Sequence, residues 1–339
     1  MIKYALIFSI LLLAFSSCFK EDDPIQPHEK GDLEEEIIPL TQYYVNQVYF
    51  NVSSGEQVSQ NKKGEFDLSF SSTINGHIIR LNSASFMTAA LTDYSELQDV
   101  TDTIGLEWKF DKPDGNPDST AFSGWIGFDD QDTTYINKVW VINRGINEEG
   151  FVIGLKKIIF TKLSNGKYHF SFSNMDNTAM QEFVVEKNEG YNYIQFSFDE
   201  GGLVKQLEPK SDNWDLLFTQ YTSMVSTLDG SDSYPYLVTG TLINPVDVAV
   251  AFDSILVFVD IVIGDVIGLE FSTDQDAIGY EWKELVGDVG GGDFYYKTFD
   301  NYNYIIKSRG GGIYKLHFTG FYDKETGEKG YPTFEYQKL

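Results

Sequence analysis

Cys18 is the residue with the clearest chemistry, because it is the only cysteine in the 339-residue sequence. It follows a segment of secretory type, in which Lys3 supplies a positive charge, residues 5–15 form a short apolar run and the pair Ser16-Ser17 is small. The apolar run is shorter than the roughly 20 residues that cross a bilayer. Small residues directly before a cysteine resemble a bacterial lipobox, in which the signal is cleaved and the thiol carries diacylglycerol. We therefore predict a lipoprotein signal peptide over residues 1–17 and lipidation of Cys18.

The segment behind Cys18 is polar and acidic. Lys20 and the acidic residues 21–23 resemble the surface-export signal of Bacteroidetes lipoproteins, because they lie directly behind the lipidated position. In other settings such a run is a solvated spacer. Residues 18–36 have too little apolar surface to bury a core, so we predict a flexible tether that begins with the lipidated cysteine. We expect the chain to be anchored by lipid in an outer membrane and exposed at the cell surface.

Other patterns with possible chemistry are weaker. Asp and Asn residues surround Gly115, and a second acidic cluster covers residues 129–132; calcium takes such oxygen ligands. The glutamate that completes an EF-hand loop is absent from both, and a strongly acidic chain produces such clusters by composition alone. There is no Gly-x-Ser-x-Gly, His-Glu-x-x-His or Walker motif, and no carboxylate pair stands out as a glycosidase pair. We predict a protein without catalytic residues and without a metal site.

The composition limits the partners. Lys and Arg number 25 against 51 Asp and Glu, which gives a formal net charge of −26. This charge argues against nucleic acid, whose binding proteins need a basic surface, and against electrostatic docking to anionic lipid. The 26 Phe, 21 Tyr and 5 Trp residues provide ample core material. Because no second cysteine exists, stability must come from packing rather than from disulfide bonds.

The hydrophobic pattern is that of short strands. Tyr168, Phe170 and Phe172 alternate with polar residues, as in a half-buried strand, and residues 156–161 form a second such run. Asn165-Gly166 separates the two runs and suits a tight hairpin turn. The best remaining candidate for a helix is short, from Thr88 to Leu97. We predict an all-β fold of antiparallel, sandwich-like sheets with little helix.

The chain also repeats itself. Five short motifs occur twice in the same order: residues 48–52 and 194–198, 66–70 and 214–218, 104–109 and 278–283, 144–145 and 309–310, and 157–161 and 315–319. Their spacing varies as insertions in loops would cause. We predict two tandem related β modules over residues 37–188 and 189–339. A single pseudo-symmetric β domain is the alternative.

A family resemblance lies mainly in the second half. It is carried by residues 194–201, by Trp214-Asp215-Leu216-Leu217-Phe218-Thr219, by Tyr236-Leu237-Val238-Thr239-Gly240 with Asn244, and by the endings 309–316 and 330–336. These motifs resemble the HmuY-like family of Bacteroidetes surface lipoproteins. The first half resembles the family through its similarity to the second. The resemblance implies an all-β surface lipoprotein, and the best-known family members capture haem for an outer-membrane transporter.

If haem is the ligand, its iron needs one or two axial ligands, usually His or Met. The candidate ligands are His77, His169, His317 and Met224. His169 and His317 fall on the polar faces of amphipathic strands, where a histidine is more often only solvated. His77 follows a predicted Asn75-Gly76 turn, and the repeat places Met224 one position from the counterpart of His77.

We therefore predict non-enzymatic ligand capture, with haem as the ligand, an uptake system as its destination and an outer-membrane transporter as partner. The alternative is a non-haem surface module that recognises a glycan or a partner protein, or an accessory subunit of an uptake complex. For a glycan, the candidate stacking rings are Trp125, Tyr295, Tyr296, Tyr302 and Tyr304. A haem protein must place a His or Met over a pocket of apolar rings, whereas a glycan binder presents a solvent-facing aromatic row.

Overall fold

The computed structural model of the chain describes residues 30–129, 132–227, 230–288 and 291–339. Within these ranges Gly31–Leu339 is one compact unit. The predicted signal peptide, the predicted lipidation site Cys18 and most of the predicted tether lie outside the described residues. No helix in the described part of the chain has both the length and the apolar character that a membrane span requires.

The fold is all-β, as predicted. The first twelve strands are β1 (Glu34–Ile37), β2 (Asn46–Asn51), β3 (Glu56–Lys62), β4 (Leu68–Ser71), β5 (Ile79–Leu81), β6 (Thr88–Leu91), β7 (Ile126–Phe128), β8 (Thr133–Tyr135), β9 (Val139–Asn143), β10 (Leu155–Ser164), β11 (Lys167–Asn174) and β12 (Gln181–Glu186). The remaining ten are β13 (Tyr193–Ser197), β14 (Leu203–Lys205), β15 (Leu216–Ser226), β16 (Ser233–Ile243), β17 (Ala249–Asp253), β18 (Lys283–Asp288), β19 (Asp293–Thr298), β20 (Asn303–Lys307), β21 (Ile313–Tyr322) and β22 (Lys329–Lys338).

Helical structure in the described residues is confined to short 3₁₀ turns, at Ser83–Ser85, Leu97–Asp99, Pro117–Ser119, Asp199–Gly201, Phe258–Asp260 and Ile263–Val266. The candidate helix from Thr88 to Leu97 is instead strand β6 followed by a loop. Ala89 and Ala90 are buried in β6 and pair with Ile142 and Val141 of β9. Pairing with a neighbouring strand therefore overrides the weak helical preference of this segment.

The strands form two sandwiches. In the first, the four-stranded sheet β14-β13-β4-β5 and the five-stranded sheet β12-β11-β10-β9-β6 share a core that contains Phe70, Phe160 and Phe196. In the second, the sheets β16-β15-β2-β3 and β1-β22-β21-β20-β17 share a core that contains Phe218 and Phe334. The hairpins β7-β8 and β18-β19 form separate two-stranded sheets. Each sandwich therefore has the same kinds of sheet, as expected for related modules.

Strand pairing crosses between the two copies of the repeat. β2 belongs to the first copy but pairs with β15 of the second, with Phe50 opposite Leu216. β13 opens the second copy but pairs with β4 of the first, with Ile194 opposite Phe70. The first sandwich thus receives β13 and β14, and the second receives β1, β2 and β3, from the other side of the predicted boundary between residues 188 and 189. The position of that boundary stays a prediction.

Two buried aspartates at equivalent repeat positions hold the exchanged strands. Asp67 accepts a hydrogen bond from Phe198 N at 2.8 Å, directly after β13. Asp215 accepts the corresponding bond from Val52 N at 3.0 Å, directly after β2. Phe198 and Val52 are the last residues of the matching motifs 194–198 and 48–52. A buried carboxylate in each copy therefore binds the end of the strand that the other copy supplies.

The hairpin turn and the start of the folded unit were predicted with different success. Asn165 and Gly166 have positive φ angles of 50° and 72° and join β10 to β11, which confirms the predicted turn. In contrast, Glu34–Ile37 is strand β1 and pairs with β22, so the folded unit includes residues 34–36, which were predicted to belong to the tether. Three glutamates suit an edge strand because their carboxylates reach solvent or a partner, as Glu34 Oε2 does at 2.7 Å from Tyr336 Oη.

Candidate functional site

The backbone around His77 is held in place from several sides. His77 follows the turn between β4 and β5, where Gly76 N donates to Thr73 O at 3.0 Å. The indole Nε1 of Trp125 donates to His77 O at 2.9 Å. Lys187 Nζ donates to Thr73 O at 2.9 Å and also to Gly76 O. These bonds fix the position of the histidine on a loop that would otherwise be free to move.

The imidazole of His77 lies in an open cleft of about 460 Å³. Its ring meets the ring of Phe128 edge to face, with centroids 4.9 Å apart. Nδ1 lies 3.5 Å from Asn75 O, the outer limit of a hydrogen bond, and Nε2 has no hydrogen-bond partner among the described residues. Ile74 and Phe128 beside it are 72% and 60% exposed. The cleft therefore combines an available imidazole nitrogen with apolar side chains that water covers.

Met224 lies in a separate and larger cleft, of about 670 Å³. Its side chain, on β15, is 42% exposed. Aromatic side chains dominate the lining: Tyr221, Phe252, Tyr280, Phe299, Tyr302 and Tyr304. Asp276 and Glu281 also line it, and burial raises the pKa of Asp276. This cleft offers a thioether and aromatic rings, but its charged groups include two acids.

His169 and His317 lie elsewhere. His169 is half-buried in β11, between Lys162 of β10 and Val184 of β12. His317 Nε2 lies 3.0 Å from Glu335 Oε2, and the ring stacks on Phe258 with centroids 3.8 Å apart. The expectation of a merely solvated His317 is therefore not met. A metal could reach its Nε2 only after the contact with Glu335 had broken.

The four candidate ligands do not converge on one site. His77 and Met224 line different clefts, and neither of these clefts is lined by His169 or His317. No cluster of three or more acidic, histidine or cysteine side chains suited to a metal ion occurs within the described ranges. A haem bound to this chain would therefore take its ligand from one of the two clefts at a time.

Two of the predicted stacking rings are unavailable. Trp125 and Tyr304 are each 3% exposed, so neither presents a face to solvent. Tyr295 is 52% exposed and Tyr296 lines a third cleft, of about 270 Å³. This third cleft also contains Lys283, whose Nζ donates to Thr239 O at 2.6 Å. Burial lowers the pKa of Lys283 to about 7.

A small polar cavity of about 120 Å³ lies where the two sandwiches meet, lined by residues of both. Glu208 lies there and accepts hydrogen bonds from the backbone N–H groups of Asn192 and Tyr193, both at 3.1 Å. Burial raises the pKa of Glu208 to about 8. Asp111 accepts backbone hydrogen bonds from Leu81 and Ala121, both at 2.7 Å, so this member of the acidic cluster around Gly115 is part of the scaffold.

Sequence reasoning missed Phe128 and Lys187, which complete the His77 cleft. Phe128 belongs to the hairpin β7-β8, and nothing in the local sequence says that this hairpin lies against the turn before His77. Lys187 lies just after β12, and its Nζ contacts the turn before His77 by donating to Thr73 O. A pairing pattern between these segments in related sequences is the signal that could have found them.

Comparison with known proteins identifies a family. The model of the family described as HmuY protein matches residues 43–199 and again residues 189–336. The two matches overlap at residues 189–199, which include β13. This strand opens the second copy in the sequence but belongs to the first sandwich in the structure. Comparison with curated proteins gives no significant match.

Solved structures give weak likenesses. An apo HmuY analogue of Tannerella forsythia is 12% identical, covering 92% of this chain and 97% of its own, with a TM-score of 0.23. Apo PinO, described as from Porphyromonas gingivitis, is 13% identical over 91% of this chain and 97% of its own, with a TM-score of 0.28. A candidate HmuY-like haem-binding protein of Bacteroides vulgatus is 14% identical over 53% of this chain and 90% of its own, with a TM-score of 0.18. The family assignment therefore rests on the sequence model.

Proposed function

Because this chain belongs to the HmuY family, whose model matches both of its halves, we propose that it captures haem without catalysing a reaction. The observation that carries the proposal is the His77 cleft, in which an imidazole nitrogen without a hydrogen-bond partner among the described residues lies beside exposed apolar side chains. We assign the first haem site to this cleft. In this proposal a lipid anchor holds the chain at the cell surface, and an outer-membrane transporter receives the haem.

The His77 cleft fits the chemistry of haem in three respects. A histidine nitrogen with an available lone pair is the commonest axial ligand of haem iron. The edge of a porphyrin would cover Ile74 and Phe128, which are now exposed to water. Lys187 lines the cleft and is its only charged side chain among the described residues. A cationic lining favours the carboxylates that haem carries.

The Met224 cleft is the second site in this proposal. Phe252 is exposed and the rings of Tyr280, Phe299 and Tyr302 are half-buried, which suits a flat apolar ligand. A thioether is a soft ligand that can complete the coordination of haem iron. The charged side chains that line this cleft are two acids, Asp276 and Glu281, and one cation, Lys283, so its lining suits the carboxylates of haem less well than that of the His77 cleft. We therefore expect weaker binding there than at His77.

One observation favours non-haem recognition as a second function. Tyr234 and Tyr236 on β16 are 45% and 55% exposed and meet edge to face at 6.2 Å. Tyr295 on β19 is also exposed. Such rings can stack on sugars or pack against a partner protein. A glycan that binds here should do so whether or not haem is present.

A haem titration of the mature chain tests the proposal, with Cys18→Ser to avoid acylation. We expect a saturable Soret shift that His77→Ala weakens by about tenfold or more, which corresponds to about 1.4 kcal/mol. His169→Ala is the matched control, because it also removes a half-buried histidine but lies outside both clefts. Met224→Ala should affect only a second, weaker phase. The absence of a saturable shift, or equal binding by the His77 and His169 variants, would overturn the assignment.

A further inference from the structure

The segment after β17 exposes an unusual number of aliphatic side chains. We call residues 254–267 the apolar loop. Ile255, Val257 and Ile267 are 88%, 63% and 86% exposed, and Val262 and Ile263 are 48% and 39% exposed. Isolated exposed apolar residues are ordinary, but a contiguous group of this kind marks a binding surface.

The apolar loop is held rigidly from below. Phe258, Ile261 and Val266 are buried and fix the loop to the second sandwich, where Phe258 stacks on His317. Lys315 Nζ donates to the carbonyl oxygens of Phe258 and Ile261. Because Phe258, Ile261 and Val266 pack against the second sandwich, the side chains between them stay on the outer surface of the loop.

Two acids of this region also serve the loop itself. Asp253 Oδ2 accepts a hydrogen bond from Leu256 N at 2.9 Å, and Asp265 Oδ2 accepts one from Val262 N at 2.9 Å. These carboxylates are engaged with the backbone of the segment that they flank. The outward surface between them is formed mainly by aliphatic groups, and Asp260 is the exposed acid within it.

The first copy of the repeat contains a corresponding loop whose surface is more polar, although Tyr94 and Ile104 are exposed beside it. There the 3₁₀ turn Leu97–Asp99 corresponds to Phe258–Asp260, and Leu97 and Val100 are buried as Phe258 and Ile261 are. Lys157, the repeat counterpart of Lys315, donates to Val100 O at 2.9 Å.

Aligned on these shared contacts, the exposed residues differ in kind. Glu96, Thr101 and Asp102 of the first copy stand where Val257, Val262 and Ile263 stand in the second. The scaffold therefore works with polar residues at these positions, and the fold does not require the aliphatic surface of the second copy.

The apolar loop lies close to Gly31, the residue at which the compact unit begins, and this position indicates what covers the loop. Gly31, where the compact unit begins, donates through its backbone N to Lys338 O at 3.0 Å. Leu339, the residue after Lys338, packs in one cluster with Ile261 and Val266 of the loop. Cys18 precedes Gly31 by about 13 residues, a length of chain that reaches at most about 45 Å.

We propose that the apolar loop enters the surface of the lipid bilayer in which the chain is anchored. The inference is independent of haem binding and rests on the lipid anchor predicted at Cys18. Aliphatic side chains on a rigid loop bind at the boundary between headgroups and acyl chains through the hydrophobic effect. Because the chain has a formal net charge of −26, attraction to anionic lipid is not the driving force, so binding should be insensitive to salt.

A fluorescence experiment tests this directly. Cys18 is the only cysteine and is consumed by acylation, so Val257→Cys in the lipidated full chain can be labelled selectively with an environment-sensitive fluorophore. In vesicles of phosphatidylcholine and phosphatidylethanolamine, we expect a blue shift and at least about twofold quenching by nitroxide-labelled lipid. Glu96→Cys, at the equivalent position of the polar loop, is the control and should show neither.

A second variant distinguishes a loss of membrane contact from a loss of folding. Val257→Glu, Val262→Thr and Ile263→Asp together give the loop the polar surface of the first copy. With the fluorophore moved to Ile255→Cys, we expect this polar variant to lose the lipid quenching while its melting temperature and haem titration stay unchanged. Lipid quenching equal at positions 257 and 96, or unaffected by the polar variant, would overturn the proposal. So would a blue shift that grows with protein concentration without vesicles, which would indicate a second copy as the occupant.

Discussion

Replacing Asp67 by alanine removes the carboxylate that holds the end of β13 in the first sandwich. This carboxylate is buried and accepts hydrogen bonds from Arg144 Nε at 2.6 Å, Arg144 Nη2 at 2.9 Å and Phe198 N at 2.8 Å. Removing one partner of a buried ion pair leaves the other charge uncompensated and costs about 3–5 kcal/mol. Asp199 still contacts Arg144 at 2.8 Å and recovers part of this energy. We therefore expect the free energy of unfolding to fall by about 3 kcal/mol.

Asp199→Ala is the matched control, since it removes the second carboxylate from the same guanidinium. The side chain of Asp199 is 59% exposed, against 4% for Asp67, so solvent screens its contact with Arg144. We expect a loss below about 1 kcal/mol for this variant. Urea unfolding of the mature chain, followed by tryptophan fluorescence, measures both losses from the shift in midpoint at constant slope.

A second measurement separates this mechanism from general destabilisation. The amide of Phe198 donates to Asp67, so Asp67→Ala should accelerate hydrogen exchange at Phe198 and along β13. Exchange at Val52, which donates to the equivalent Asp215, should change less. Equal losses of stability for the two variants, or unchanged exchange at β13, would refute the view that buried charge holds the exchanged strand.

Two further predictions concern the buried acid at the junction and the repeat glycine. Burial raises the pKa of Glu208 to about 8, so the folded chain keeps a proton that the unfolded chain has released; stability should fall from about pH 5 to pH 8. Glu208→Gln should flatten that fall in urea midpoints, and an unchanged slope would contradict this. Gly145 and Gly150 both have positive φ, but a Cβ at Gly145 overlaps the Ser85 carbonyl whereas one at Gly150 meets open space. By calorimetry, Gly150→Ala should cost about 1 kcal/mol and Gly145→Ala at least about twice as much, and equal costs would count against a steric role.

The fold was largely predictable because its signals are local. Tyr168, Phe170 and Phe172 are buried, as the alternation of β11 indicates, and Asn165-Gly166 turns the chain as its backbone preferences indicate. What could not be predicted is the choice of partner strands. The motifs of β2 and β13 are alike, so the hydrophobic pattern is equally satisfied whether each pairs within its own copy or across copies.

The candidate site was predictable only in part. His77 was singled out because it follows a turn, which is a local feature. The apolar side of its cleft comes from Phe128, about 50 residues later in the chain, and the hairpin that carries Phe128 is positioned by Trp125 beneath it. Trp125 itself was expected at the surface, but its indole is buried against Phe160 and Tyr168, and its N–H donates to His77 O. Contacts of this kind depend on tertiary packing, which hydropathy does not encode.

The predicted boundary between the two copies of the repeat does not coincide with the boundary between the two sandwiches, and this difference bears on the proposed haem cleft. A cut after residue 188 leaves β4 without β13 and removes Ile194, Phe196 and Phe198 from the first core. β4 leads directly into the turn that positions His77, so the proposed haem cleft depends on a strand that begins the second copy. With the predicted boundary, neither copy of the repeat contains a complete sandwich, because each supplies strands to the other. The two copies are therefore joined in one compact unit, and the His77 cleft lies in a sandwich that contains strands of both.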